Sequence, residues 1–386
     1  MISSQPIGKS DYRYVGAYNL DLFSQIKIGD NLMNKKLKFL SAGFISICIS
    51  IANAMPVAAL ESNRESIERV LSRVSERSLS PETAVFSQVA DLRAGGSVEN
   101  IFDATVSGVE VEIPSNGRKP IKISPSKDEA ISISLPFPED ESNAFQVLPG
   151  VAAFEHKNSS TSVVIVKNDG SLQVTTKIDS QTAPEVYEYK VELPIGSKVQ
   201  SLGEGLIILR GQKIIGMLAA PWAEDASGQD VRTKFKVTKN SIIQVVHHRE
   251  KNYSYPIVAD PWLGFNLFDS VVVSSVLTKN QPVVNLNLSV WGWSVYTGVT
   301  AGGVVAGQEI LNSAGWSEAW AKGGAVRAAL DKPSQRQQFA CHALGAFAAG
   351  EWNLEKYRPN RTNGDWLSGV ASHHCNWKYS YGGESE

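Results

Sequence analysis

The residues of this chain best equipped for chemistry gather near its C-terminal end: Cys341-His342 in one segment and His373-His374-Cys375 in another. Two thiolates and two imidazoles would suit tetrahedral zinc, because soft sulfur and imidazole nitrogen match that ion. The spacing argues against it. Structural zinc sites bring their ligands in as C-x-x-C or H-x-x-x-H pairs, and adjacent Cys and His side chains point in different directions. A disulfide between Cys341 and Cys375 is the favoured reading. It would close a loop of about 35 residues, which the chain-entropy argument values at roughly 4 kcal/mol. A thiol nucleophile at Cys341 ranks below both, since a reactive thiol in an oxidising compartment is itself oxidised. No metal and no cofactor are expected.

Acid–base chemistry has one set of weak candidates. His342 could pair with Glu355 or Asp365, and Gln338 lies four residues before His342, so a helix would put both on one face. Gln338, His342 and Glu355 therefore form a candidate polar pocket and are candidate catalytic residues, with no catalytic role assigned to any of them. The plainer alternative is that His342 is a packed helix residue beside a cysteine. A second polar segment, Pro221 to Asp230 (PWAEDASGQD), holds acidic residues and a glycine that could surround calcium. Its order does not follow the D-x-D-x-D-G loop with a terminal Glu, so a turn between strands is expected instead. No G-x-S-x-G, H-E-x-x-H or phosphate-binding glycine loop occurs.

The elements that must position these residues fall into two stretches. From 100 to 264, short runs rich in Val, Ile, Thr and Tyr alternate with turn residues: Ser162–Lys167, Ser171–Lys177, Val186–Leu193, Gly205–Leu209 and Lys213–Leu218. Asn168-Asp169-Gly170 and Arg210-Gly211-Gln212 are hairpin signals, because Gly accepts positive φ. Strands at this spacing, without helical periods between them, predict an antiparallel sandwich or roll. From 265 to 386 two strand-like pieces, Ser270–Leu277 and Val283–Tyr296, lead into helical patterns at Val304–Asn312, Trp316–Ala329 and Arg336–Ala349. The last would bury Phe339, Leu344 and Phe347. The fold class expected is α+β: a β-rich domain followed by a small α-rich, disulfide-stapled C-terminal domain.

Ahead of both, residues 64–79 carry Ile67, Val70, Leu71 and Val74 at helical spacing, giving an amphipathic lead-in within a 60–98 segment that ends in a Gly95-Gly96-Ser97 break. Earlier still, Met33-Asn34-Lys35-Lys36-Leu37-Lys38, the apolar run Phe39–Ile51 and Ala52-Asn53-Ala54 reproduce the basic, apolar, A-x-A order of a secretory signal peptide. The apolar run is well short of the ~20 residues a spanning helix needs. Residues 33–54 are thus expected to be a cleaved signal, with 1–32 an upstream extension produced by a misplaced start and no stable transmembrane anchor. Cys48 leaves with the signal, and the remaining even pair is what makes the disulfide the default in a secreted chain. Lys and Arg number 37 against 39 Asp and Glu, for a net charge of −2. Without a basic stripe, nucleic acid is not an expected partner.

In order along the C-terminal segment stand Trp291-Gly292, Gly315-Trp316-Ser317-Glu318, Gln338-Phe339-Ala340-Cys341-His342, Trp352-Asn353-Leu354-Glu355, Arg358-Pro359 and Cys375-Asn376. Over about 290–378 this resembles the small C-terminal domain of secreted Gram-positive, mainly actinobacterial, proteins known as domain of unknown function 2599. The family usually ends C-N-P, where this chain has Trp377. Upstream, Pro221-Trp222-Ala223 and Tyr255 to Trp262 resemble a region that precedes varied C-terminal domains in such exported proteins. The resemblance implies an extracellular location and the domain limits, and it carries no catalytic residue with it. Physically, Trp291, Trp316 and Trp352 read as apolar anchors, Glu355 and Arg358 as a local ion pair, and Asn353 and Asn376 as turn or cap residues. The expectation is an exported, non-enzymatic protein that binds the envelope or a protein partner. The alternative is a secreted hydrolase or antibacterial effector whose active site lies in the C-terminal domain.

Overall fold

The computed structural model describes residues 57–77, 84–95, 97–139, 142–211, 213–298, 303–345, 350–361 and 375. The expected extension and signal, residues 1–54, lie outside them. The first described element is the helix α1 (Val57–Arg77). Four strands follow: β1 (Asn100–Val106), β2 (Val109–Pro114), β3 (Ile121–Ser124) and β4 (Ile131–Ile133). Next come β5 (Phe145–Leu148), β6 (Val151–His156), β7 (Ser160–Val166), β8 (Leu172–Ile178) and β9 (Val186–Glu192). Then come β10 (Ser197–Leu202), β11 (Gly205–Arg210), β12 (Lys213–Leu218) and β13 (Trp222–Glu224). The series closes with β14 (Thr233–Val237), β15 (Ser241–Val246), β16 (Ile257–Asp260) and β17 (Trp262–Gly264).

These strands make two antiparallel sheets. One runs β1-β2-β3-β4-β9-β15-β14. The other runs β10-β11-β12-β17-β8-β7-β6-β5, with β16 also on β8 and β13 beside β16. The period of two decides how they stack. In β9 Tyr187, Tyr189 and Val191 are buried while Val186, Glu188, Lys190 and Glu192 are exposed. Those inward residues join Val111, Ile123, Val164, Val166, Leu172 and Val174 in one core between the sheets. The alternate residues of β7, Val163 and Ile165, point the other way and meet Ile67, Leu71 and Val74 of α1. Both faces of β7 and β8 are therefore covered, and every residue of these two strands is buried.

The C-terminal region has its own three-stranded sheet, β18 (Phe268–Val273), β19 (Val283–Leu288) and β20 (Glu351–Glu355). Its helices are α2 (Val290–Tyr296), α3 (Val304–Ile310), α4 (Trp316–Ala321), α5 (Gly324–Leu330) and α6 (Pro333–Gly345), with a π-helical turn over Leu311–Gly315 joining α3 to α4. Three expectations are corrected here. The run Val283–Tyr296 is not one strand, because the Ser289 hydroxyl accepts a bond from the Gly292 N–H at 2.8 Å and starts α2. The pattern Trp316–Ala329 is not one helix, because Gly323 and Gly324 both take positive φ and end α4. Asn353 is a strand residue of β20 rather than a turn or cap residue. Among the described residues, no helix is long and apolar enough to cross a membrane.

Candidate functional site

α6 and β20 position the residues singled out by the sequence. Cys341 of α6 and Cys375 form a disulfide with their Cα atoms 5.6 Å apart, within the span such bonds require. That chemistry belongs to an oxidising environment. It also leaves neither sulfur as a thiolate for a metal or for nucleophilic attack. His373, His374, Asp365 and Asn376 lie outside the described residues.

His342 is 1% exposed. Its ring stacks on Trp352 with centroids 5.5 Å apart and planes 13° from parallel. Burial pushes its pKa down to about 4, with the backbone of Asn353 pulling weakly the other way. The ring is therefore uncharged at neutral pH. Glu355 is held elsewhere. In β20 Trp352 and Leu354 turn inward while Glu351, Asn353 and Glu355 turn outward, so Glu355 sits on the face opposite the one His342 covers. Its carboxylate pairs with Arg358, Nη2 to Oε2 at 2.5 Å, as the sequence spacing suggested. Together they line a groove of about 380 Å³ with Asn285, Asn353, Ser274 and Thr278. Gln338 does meet Glu355, but through the backbone. Its Oε1 accepts from the Glu355 N–H at 2.9 Å and its Nε2 donates to the Glu355 carbonyl at 3.1 Å. Gln338 is thus a clamp between α6 and β20.

The Pro221 to Asp230 segment is a turn organised by one carboxylate. Asp225 accepts bonds from the Ser227 N–H and hydroxyl, the Gln229 N–H and the Ser254 N–H, at 2.6–2.9 Å. Burial alone would raise its pKa, but these bonds together hold it below the usual carboxylate value. Its oxygens are committed to the chain itself. No group of three or more His, Cys, Asp or Glu among the described residues is placed to hold a metal ion.

A further site escaped the sequence. α4 carries Trp316 and Trp320 four residues apart, so both indoles project on one side, with centroids 5.9 Å apart and planes tilted by 33°. Leu330 to Pro333 and Arg336 at the start of α6 form the facing wall of an open groove of about 470 Å³. Of the three tryptophans read as anchors, Trp291 and Trp352 are fully buried, whereas Trp316 is only half-buried and lines this groove. The Arg336 guanidinium lies 5.3 Å over the Trp316 ring and donates to the Asn312 side chain and carbonyl. Arg327 lies 5.5 Å over Trp320 and donates to its carbonyl. The Lys332 ammonium donates to the carbonyls of Lys356 and Arg358. All three cations rest on neutral oxygens. The W-x-x-x-W spacing was the sequence signal available, but the sequence reading took Trp316 alone, as an apolar anchor.

A family model, a curated protein or a solved structure that matches this chain was found in none of three comparisons with known proteins.

Proposed function

We propose that this is a non-enzymatic binding protein exported by a Gram-positive bacterium, made with residues 33–54 as a cleaved signal and working outside the cell against an envelope component or a protein partner. The C-terminal region, which resembles domain of unknown function 2599, is the binding part. One observation carries the reading: His342 and Glu355, the acid–base candidates among the described residues, do not converge. His342 is uncharged and sealed against Trp352, Glu355 faces the other side of β20, and both sulfurs are bonded. A proton-transfer site needs its groups within hydrogen-bond reach of one substrate position. An opening of about 470 Å³ in the same region is instead an aromatic and cationic groove with no such pair among its lining residues.

The test uses the full chain expressed in a Gram-positive host. The shortened protein is expected in the culture medium with Cys341 and Cys375 oxidised, and it is expected to co-sediment saturably with cell envelopes. His342→Gln should leave that sedimentation unchanged. Full-length protein in the cytosol with Cys341 and Cys375 reduced would overturn export. A hydrolytic activity abolished by His342→Gln in a variant that melts like the parent would overturn the non-enzymatic reading.

A further inference from the structure

Resting on that reading, we infer that the groove between α4 and α6 is a glycan site that takes an acidic oligosaccharide, pyranose rings bearing a carboxylate or phosphate. The size is right for a small ligand: about 470 Å³ falls inside the ~300–1,000 Å³ typical of such sites. The floor is made of two indoles. Their faces are apolar and carry partial negative charge, which suits the polarised C–H face of a sugar ring.

Charge selects the anion. Arg327, Lys332 and Arg336 surround the indoles against one exposed carboxylate, Asp331, and none of the three forms an ion pair among the described residues. This local excess of positive charge stands out in a chain whose net charge is −2. Burial and neighbouring Lys356 disfavour the charge on Lys332, and burial disfavours that on Arg336. An anionic group would relieve both. Asp331 remains to accept hydroxyl protons, as sugar recognition requires.

A peptide fits less well. Backbone donors of the facing wall are already taken, Asp331 N–H by the Arg327 carbonyl at 3.0 Å and Lys332 N–H by the Leu330 carbonyl at 2.8 Å. The groove is lined by helices and a connection, with no strand edge among its described lining residues to which an extended chain could add.

Titration calorimetry and tryptophan fluorescence on the full chain test this with tri-galacturonate, glucosylated poly(glycerol phosphate), neutral maltotriose and poly-glutamate. At least one anionic glycan should bind with a Kd on the order of 100 µM or tighter. It should quench fluorescence and weaken with salt, with maltotriose about tenfold weaker or more. Which anionic glycan binds identifies carboxylate or phosphate as the natural group. Trp320→Ala and the exposed Arg327→Glu should each weaken binding about tenfold, or 1.4 kcal/mol, at unchanged melting temperature. The inference falls if neither anionic glycan binds at about 1 mM, if maltotriose or poly-glutamate binds as well, or if both folded variants bind like the parent. Such failures with envelope sedimentation intact leave the binding-protein reading standing. Loss of sedimentation in the parent chain overturns that reading instead.

Discussion

At the scale of single residues, two buried polar groups hold this structure in ways that can be measured. Gln338 satisfies both the N–H and the carbonyl of Glu355 from a fully buried position. Gln338→Ala should cost about 2–3 kcal/mol, because a buried donor and acceptor lose their partner. A urea midpoint within error of the parent would show that the clamp does not matter. Glu318 accepts bonds from the N–H groups of Leu267 and Phe268, and burial raises its pKa to about 7. A carboxyl with a raised folded-state pKa binds more protons folded than unfolded, so stability is highest below the unfolded value of 4.5 and falls as pH rises toward 7. The loss amounts to about 3 kcal/mol. Glu318→Gln should flatten the fall in urea midpoint between pH 4.5 and 7, and an unchanged slope would put the titration elsewhere. The cysteine pair was legible because only Cys341 and Cys375 stand outside the segment expected to be a leader. The parting of His342 from Glu355 was not, since it depends on which face of β20 each one meets.

Among the elements, the disulfide ties the middle of α6 to a point 34 residues further on. Cross-linking a loop of that length restricts the unfolded chain and is worth about 4 kcal/mol. Cys341→Ala combined with Cys375→Ala should lower unfolding stability by roughly that amount, and a reductant should shift the parent's urea midpoint but not the variant's. Equal midpoints with and without reductant in the parent would count against the staple. Much of the element pattern was readable. The Asn168-Asp169-Gly170 hairpin stands between β7 and β8, the alternation of β9 appears as drawn, and α1 buries Ile67, Leu71 and Val74. What stayed hidden has local physical causes. Val283–Tyr296 reads as one β-rich run until the Ser289 cap turns it into α2. β20 alternates polar and apolar over Glu351–Glu355, but five residues give too little period to stand out.

Across the whole described structure, the sandwich and the C-terminal region share buried contacts. Trp262 of β17 meets Trp291 of α2 edge-on at 5.1 Å, and Met217 and Ala219 belong to the same apolar cluster as Phe339 and Trp352. The Trp262 indole N–H donates to the Ser171 hydroxyl, while the Asp169 carboxylate accepts from the backbone N–H of Trp291. Gly264 is what lets the surfaces close: a Cβ there would lie 2.0 Å from the Trp291 ring. A chain of this size would ordinarily be free to unfold in stages, since two-state behaviour is the rule only below about 150 residues. The shared cluster argues that the two regions instead melt together, because opening either one exposes Trp262 and Trp291 at once. Calorimetry should then show one transition. Gly264→Ala should lower it by about 3 kcal/mol or more, as overpacking against a fixed indole does, or split it in two. A parent protein that already melts in two well-separated steps, with Gly264→Ala leaving both in place, would mean that this contact does not couple the regions.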